Sequence, residues 1–96
     1  MIVQRITAYY KPGKVSEGIA LIKAEITNSH FPHTTRIYTP QLNPSNMSIG
    51  EFEFESVAEM EQYWSHWETR PETAVFHEKY RLLIEPDMVS EIFDLH

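Results

Sequence analysis

Residues 50–59 read GEFEFESVAE, and this stretch decides the fold. Its two phenylalanines alternate with three glutamates, so aromatic side chains face one way and carboxylates the other, as in a half-buried strand. Ser56 and Glu59 follow at the spacing of a capping box, in which a hydroxyl and a carboxylate satisfy free backbone N–H groups at the start of a helix. The stretch therefore predicts a strand over Met47–Glu55 that leads directly into a helix.

Downstream of this stretch, the spacing predicts two helices and a last strand. The first helix has an apolar stripe at intervals of three, four and three residues: Val57, Met60, Trp64 and Trp67. Thr69–Glu72 is a second helix start, because Pro71 suits the first turn. The stripe of this second helix consists of Phe76, Tyr80 and Leu83. Pro86 ends the helix, and Val89–Leu95 is predicted as a strand.

Upstream, the sequence predicts a strand, a helix and a second strand. Met1–Tyr10 is rich in strand formers and is broken by the Pro-Gly pair of Lys11–Lys14. Val15–Asn28 has one apolar stripe at helical period, and Gly18 allows this helix to pack closely on the sheet. Thr34–Thr39 is predicted as a short strand. A loop and a turn flank it, at Ser29–His33 and Gln41–Asn46.

The predicted order of elements is β-α-β-β-α-α-β, which is typical of one α+β domain over residues 1–96. Right-handed crossovers place the helices on the same face of an antiparallel sheet. This is the ferredoxin-like βαββαβ arrangement. We expect Met1–Tyr10 to be a central strand beside Met47–Glu55.

Composition excludes several classes of function. Eight basic residues against 14 acidic ones give a net charge of −6, so neither nucleic acid nor an anionic membrane is an expected partner. There is no cysteine, which excludes disulfides and thiol chemistry. The longest apolar run, Ile19–Ile22, is far too short to span a bilayer, and the N-terminus lacks the features of a signal peptide. We expect a cytoplasmic domain.

The sheet face opposite the helices is predicted to mix aromatic residues with charges of both signs. Its expected residues are Arg5, Thr7, Tyr9, Arg36, Tyr38, Glu51, Glu53 and Glu91. Arginine and glutamate on neighbouring strands can pair across such a face. Two interpretations are open: the face is solvated, or it packs on a second copy in a symmetric dimer.

Three segments resemble NIPSNAP-type proteins. Tyr9–Val15 reads YYKPGKV and is similar to the strand-to-helix junction of that family. Phe52–Trp67 resembles its strand, helix and tryptophan, and Pro71–Glu72 fits the start of its next helix. The resemblance implies a ferredoxin-like subunit that forms a homodimer, a dimeric α/β barrel, through its sheet face. It implies no single activity, because related families include antibiotic-biosynthesis and haem-degrading monooxygenases.

Trp67 and His77 are the first candidate site residues. Haem-degrading monooxygenases of this fold have a tryptophan and a haem-ligating histidine at the same separation, and also an asparagine on the first strand. Here that strand offers Gln4 and Thr7 instead. We therefore expect no haem-ligand role, no cofactor and no metal. The alternative interpretation places Trp67 at the core and His77 at its edge.

The remaining candidates are aromatic, histidine and glutamate residues. Tyr9, Tyr38 and Trp64 are expected to line a cleft for a small organic ligand together with Trp67 and His77. His30 and His33 offer only two metal ligands, so a solvated loop is expected. The glutamates of 51–55 suit either a carboxylate site with a raised pKa or a salt-bridged strand face.

Three hypotheses of function follow. The first is a homodimeric NIPSNAP-like protein that holds a small organic ligand between sheet and helices. The second is a monooxygenase or isomerase, independent of cofactors or of the haem-degrading type, with Tyr9, Trp67 or His77 as catalytic candidates. The third is a structural module without catalysis. A cavity with convergent polar groups favours the first two, and a filled interior favours the third.

Overall fold

A computed structural model describes residues 1–42 and 45–96 of the chain. The strands and helices are β1 (Ile2–Tyr9), α1 (Val15–Asn28), β2 (Thr35–Tyr38), β3 (Met47–Phe54), α2 (Val57–Glu68), α3 (Pro71–Tyr80) and β4 (Val89–Asp94). Each lies within a few residues of its predicted bounds. Asn43 and Pro44, in the predicted turn at Gln41–Asn46, lie outside the described residues.

The four strands form one antiparallel sheet in the order β2-β3-β1-β4. β1 pairs with β3 and with β4, so the predicted central position of the first strand is confirmed. Arg5 is the register partner of both Glu51 and Glu91, which places these three charges on one face. The alternation in residues 50–55 predicted this face correctly, because successive side chains of a strand point in opposite directions.

One end of the layer between sheet and helices is an aromatic cluster. Phe54 is fully buried, and Phe52 is nearly so. Phe31 contacts both rings edge-on at centroid distances of 5.4 Å and contacts Tyr63 of α2 at 4.9 Å. Edge-to-face contacts of this kind add to the stability that burial provides. The cluster fixes α2 against β3, and Ser56 caps that helix by accepting a hydrogen bond from the Glu59 N–H.

The other end is built around Tyr10, which is buried with Tyr80 and Leu83. Gly18 of α1 faces the Tyr10 ring so closely that a Cβ there would overlap it. The predicted close packing of this glycine is confirmed. Leu83 was expected on the second predicted helix, but that helix ends at Tyr80. The following turn still buries Leu83, because Ile84 pairs with Tyr10 just beyond the end of β1.

β4 is an edge strand of the sheet, and all six of its residues are exposed. Ile92 and Phe93 point to opposite faces, and both are about half exposed. Within residues 1–42 and 45–96, no helix combines the length and hydrophobicity needed to cross a membrane.

Candidate functional site

A cavity of about 420 Å³ lies between the sheet and the helices. Ile6 and Gly50 form the middle of its floor and are register partners on the two central strands. Both remain partly exposed, although residues at the centre of a covered sheet are normally buried. Gly50 contributes no side chain, so the space above the middle of the sheet stays open.

The wall of the cavity is aromatic. Trp64 and Trp67 of α2 are in edge-on contact, with ring centroids 5.4 Å apart. Phe76 of α3 lies 5.6 Å from Trp67 and stacks on Tyr80 at 5.1 Å. The three-residue spacing of the two tryptophans puts both on the inner face of α2. Pro71 starts α3, and the aromatic side chains of that helix face the same cavity.

One polar group of the cavity is centred on Gln4. The Trp64 indole Nε1 donates to Gln4 Oε1 at 2.6 Å. Gln4 Nε2 in turn donates to Ser90 Oγ of β4 at 3.1 Å. Because an indole nitrogen can only donate, its contact fixes which end of the Gln4 amide is the oxygen. Gln4 itself is 8% exposed.

A second polar group consists of three hydroxyls. Tyr10 Oη lies 2.8 Å from Ser48 Oγ and 2.8 Å from Tyr80 Oη. Ser48 and Tyr80 line the cavity. Burial, reinforced by the hydrogen bond with Tyr10, raises the pKa of Tyr80 far above its ordinary value. This phenol therefore stays protonated at physiological pH and can serve as a hydrogen-bonding group but not as a base.

The rim of the cavity carries charged residues. Glu25 Oε1 accepts hydrogen bonds from Trp67 Nε1 at 3.0 Å and from Arg70 Nη1 at 2.9 Å. His77 Nε2 lies 2.9 Å from Glu68 Oε1, and both side chains are about half exposed. An imidazole paired with a carboxylate in this way can accept a proton from a group at the rim.

The predicted site residues divide into two sets. Trp64, Trp67 and His77 are brought together at the cavity, and the ring of His77 lies 5.1 Å from that of Trp67. Tyr9 and Tyr38 are not among the cavity residues, and both are nearly half exposed. The expectation that Tyr9 and Tyr38 line the cavity is wrong. Tyr9 has the parity of Arg5 along β1, and its side chain therefore belongs to the opposite face of the sheet.

That opposite face, here called the open face, is a network of charged pairs. Glu51 bonds to Arg5 at 2.8 Å and accepts a hydrogen bond from Tyr38 Oη at 3.1 Å. Arg36 pairs with Glu53 at 2.8 Å. The hydrogen bonds from Arg5 and Tyr38 lower the pKa of Glu51 despite the opposing effect of burial. Of the two interpretations of these glutamates, the structure shows the salt-bridged face, and a carboxylate with raised pKa is not found at Glu51.

The loop histidine His33 also has a structural contact. Its Nε2 lies 2.9 Å and 3.1 Å from the two carboxylate oxygens of Glu59, so the loop is tied to the start of α2. The hydrogen bond from the Glu55 N–H, and after it the one with this histidine, lowers the pKa of Glu59. Among the described residues, no three histidine, aspartate or glutamate side chains cluster as metal ligands.

Sequence reasoning missed the polar residues of the cavity. Gln4 was noted only where an asparagine was sought, and Ser48 was not singled out. Their partners lie 60 and 38 residues away along the chain. The available signal was parity: polar residues at positions 4 and 48 share the inward face of their strands with Ile6 and Gly50.

Solved structures with the same fold cover nearly the whole chain. A NIPSNAP family protein with unknown function from Agrobacterium tumefaciens has a TM-score of 0.83 and 21% identity, over 97% of this chain and 86% of that one. An uncharacterized NIPSNAP domain protein from Burkholderia xenovorans has a TM-score of 0.82 and 15% identity, over 100% and 95%. An antibiotic biosynthesis monooxygenase has a TM-score of 0.75 and 11% identity, over 100% and 99%.

These likenesses confirm the ferredoxin-like α+β fold and, for the fold, the resemblance to NIPSNAP-type proteins. No family model matches the chain, and no curated protein is significantly similar to it. At such low identity, the shared property is the path of the backbone. The function has to be argued from the cavity itself.

Proposed function

We propose that the protein is a homodimeric, NIPSNAP-like binding protein that holds a small organic ligand in the cavity between its sheet and its helices. The observation that carries the proposal is the open space of about 420 Å³ above Ile6 and Gly50. Ligand sites of proteins commonly enclose about 300–1,000 Å³ and combine apolar walls with a few placed polar groups. Trp64, Trp67 and Phe76 supply such a wall here.

The structural module is less well supported, because a protein without a ligand gains stability by filling its interior. A methylene-sized gap already forfeits packing energy. This chain instead places glycine at the middle of the floor, opposite Ile6. The neighbouring positions Gln4 and Ser48 turn polar groups toward the same space.

The chain supplies its own reporters for a binding test. Its two tryptophans, Trp64 and Trp67, both line the cavity. The probe is N-phenyl-1-naphthylamine, an uncharged dye that emits in apolar sites and accepts excitation energy from indole. We expect saturable dye emission on excitation of tryptophan.

A blocking variant and a control make the test specific. Gly50→Leu places a side chain in the middle of the floor and should weaken dye binding at least about tenfold, or ~1.4 kcal/mol. Ala20→Leu adds a leucine on the exposed side of α1 and should leave binding unchanged. Dye that binds equally well to the Gly50→Leu protein, with its circular dichroism intact, would contradict the proposal.

The homodimer is proposed through the open face. Its charges are already paired with each other, as in Arg5–Glu51 and Arg36–Glu53, so a second copy can cover them with little unpaired charge left behind. Half-exposed Tyr38 and Phe93 add apolar area to this face. A stable interface of this kind buries more than about 1,000 Å².

Light scattering at micromolar concentration tests the dimer. Tyr38→Asp adds a negative charge beside Glu51 and should shift the mass toward 11.3 kDa. Val75→Asp makes the same kind of change on an exposed position of α3 and should leave the dimer intact. An unaltered protein that scatters only as an 11.3 kDa species would overturn this part of the proposal.

One observation favours a second candidate, a monooxygenase that needs no cofactor. The His77–Glu68 pair lies at the rim beside Trp67 and could deprotonate a phenol. With 1-naphthol as the probe, the reaction is 1-naphthol plus O₂ giving 1,4-naphthoquinone plus water. Oxygen uptake that depends on the protein and is lost in His77→Gln would support this candidate, and its absence in the unaltered protein would exclude the reaction for this probe.

A further inference from the structure

The Gln4 amide has a donor that no group in the described structure uses. Its oxygen accepts from Trp64 Nε1, which leaves both amide hydrogens on Nε2. One of these goes to Ser90 Oγ. The remaining N–H has no partner among the contacts of the described residues, although Gln4 is 8% exposed and lines the cavity.

This N–H faces the cavity, where it bonds to water or to a bound ligand. A ligand that offers an acceptor keeps this hydrogen bond, whereas a purely apolar ligand leaves the N–H without a partner, which lowers the affinity. The two bonds to Trp64 and Ser90 also prevent the amide from rotating to exchange its ends. The cavity therefore presents a fixed N–H to whatever occupies it.

The charges around the cavity select against anions. Glu25 and Glu68 line it, and the two basic groups beside them are already paired: Arg70 is hydrogen bonded to Glu25, and His77 to Glu68. Among the cavity residues of the described chain there is no lysine or arginine. The polar groups farther along the cavity, Ser48 of β3 and Tyr80 of α3, are uncharged. A carboxylate would lose its hydration here without gaining a cation.

We propose, on the basis of the binding function above, that the ligand is an uncharged, largely apolar carbonyl compound. Its carbonyl oxygen accepts a hydrogen bond from the second N–H of the Gln4 amide. Trp64 is then both a wall of the cavity and a positioning residue, because its indole N–H sets the orientation of the amide. The carbonyl end lies over Gln4 and the apolar body lies over Ile6 and Gly50.

Three probes of nearly the same shape test this ligand class. They are 9-fluorenone, which has a carbonyl, fluorene, which has a methylene in its place, and fluorene-9-carboxylate, which is an anion. Each is measured by displacement of N-phenyl-1-naphthylamine at pH 8. We expect fluorenone to bind about 2- to 10-fold more tightly than fluorene, the effect of one net hydrogen bond. The carboxylate should bind at least about tenfold more weakly than fluorene.

A pair of variants assigns the donor. Gln4→Met keeps the approximate size of the side chain but has no N–H, so the preference for fluorenone over fluorene should disappear while fluorene still binds. Ser48→Ala removes a polar group from the other end of the floor and should keep the preference. Loss of the preference in Ser48→Ala but not in Gln4→Met would overturn the assignment to Gln4.

A measurement on the unaltered protein covers the case in which Gln4→Met does not fold. In ¹⁵N-labelled protein, one side-chain amide proton of Gln4 should move downfield with fluorenone and not with fluorene. Equal binding of fluorenone and fluorene, with the amide unmoved, would overturn this inference and leave the binding function standing. Failure of all three probes and of the dye to bind would overturn the binding function itself.

Discussion

On the sheet face that carries the helices, the polar side chains that line the open space are uncharged. On the open face they are charged and pair with one another. Gln4 and Ser48 belong to the first face, and Arg5 and Glu51 belong to the second, although the four residues lie on the same two strands. The difference shows that the alternation of a strand gives the two faces of one sheet different chemistry. Under the proposed function, the helix-covered face receives a small molecule and the open face is covered by a second copy of the chain.

The largest expected effect is on the free energy of unfolding, and it compares one phenylalanine on each face of the sheet. Phe54 is fully buried under the helices, and Phe93 is 40% exposed at the edge of the open face. Phe54→Ala should lower the free energy of unfolding by about 3–5 kcal/mol in urea titrations at fixed protein concentration. Phe93→Ala is the control and should cost less than half as much. Equal losses would mean that the open face is as tightly packed as the helix-covered one.

A smaller effect distinguishes the packed end of the helix-covered face from its cavity. Gly18→Ala brings a methyl group into the Tyr10 ring and should cost about 1–3 kcal/mol, even though alanine favours a helix. Gly50→Ala points into the cavity, where the nearest atom is 3.3 Å away on the ring of Phe52, whereas a Cβ at Gly18 overlaps the Tyr10 ring. Gly50→Ala should therefore lower the stability of the fold clearly less than Gly18→Ala does. Thermal unfolding followed by circular dichroism compares the two, and the reverse order would contradict the position of the cavity.

The smallest effect concerns charge on the open face. Because the pKa of Glu51 is lowered in the folded protein, its ion pairs add stability above the ordinary glutamate pKa of about 4.3, and this stability is lost as the pH falls through the lowered value. Glu51→Gln should therefore cost about 0.5–1 kcal/mol at pH 7 and nothing at the acidic end of a pH series. Glu91 of β4 is the other register partner of Arg5, and Glu91→Gln should cost less at pH 7 than Glu51→Gln. A cost for Glu51→Gln that grows on acidification would contradict the account.

The fold was predictable because its signals are local. The alternation at 50–55, the capping box at Ser56 and the Pro-Gly turn after Tyr10 each need only a few neighbouring residues. The tryptophans of the cavity were found for the same reason, since they share one face of one helix. The polar partners of these tryptophans were not found, because the contact of Trp64 with Gln4 spans 60 residues.

Tyr9 shows a different kind of error. Its position at the end of the first strand suggested a place near the mouth of the cleft, but side-chain direction follows parity and not position along the strand. Phe31 shows the opposite: it lies in a loop without periodicity, yet it is the centre of the aromatic cluster. Tertiary contacts decide where the side chains of such residues pack, and no short window of sequence contains both partners of these contacts.

The central claim is that the helix-covered face, and not the open face, receives a small molecule. Ile6 and Ile49 test it directly, because they lie on the two central strands but on opposite faces. In protein with ¹³C-labelled isoleucine methyl groups and ¹⁵N-labelled indoles, a titration with N-phenyl-1-naphthylamine should move the Ile6 methyl signals and the indole signals of Trp64 and Trp67 in one saturable process. The Ile49 methyl signals should stay fixed. If the Ile49 methyl signals move while the signals of Ile6 and of both indoles stay unchanged, the central claim is contradicted.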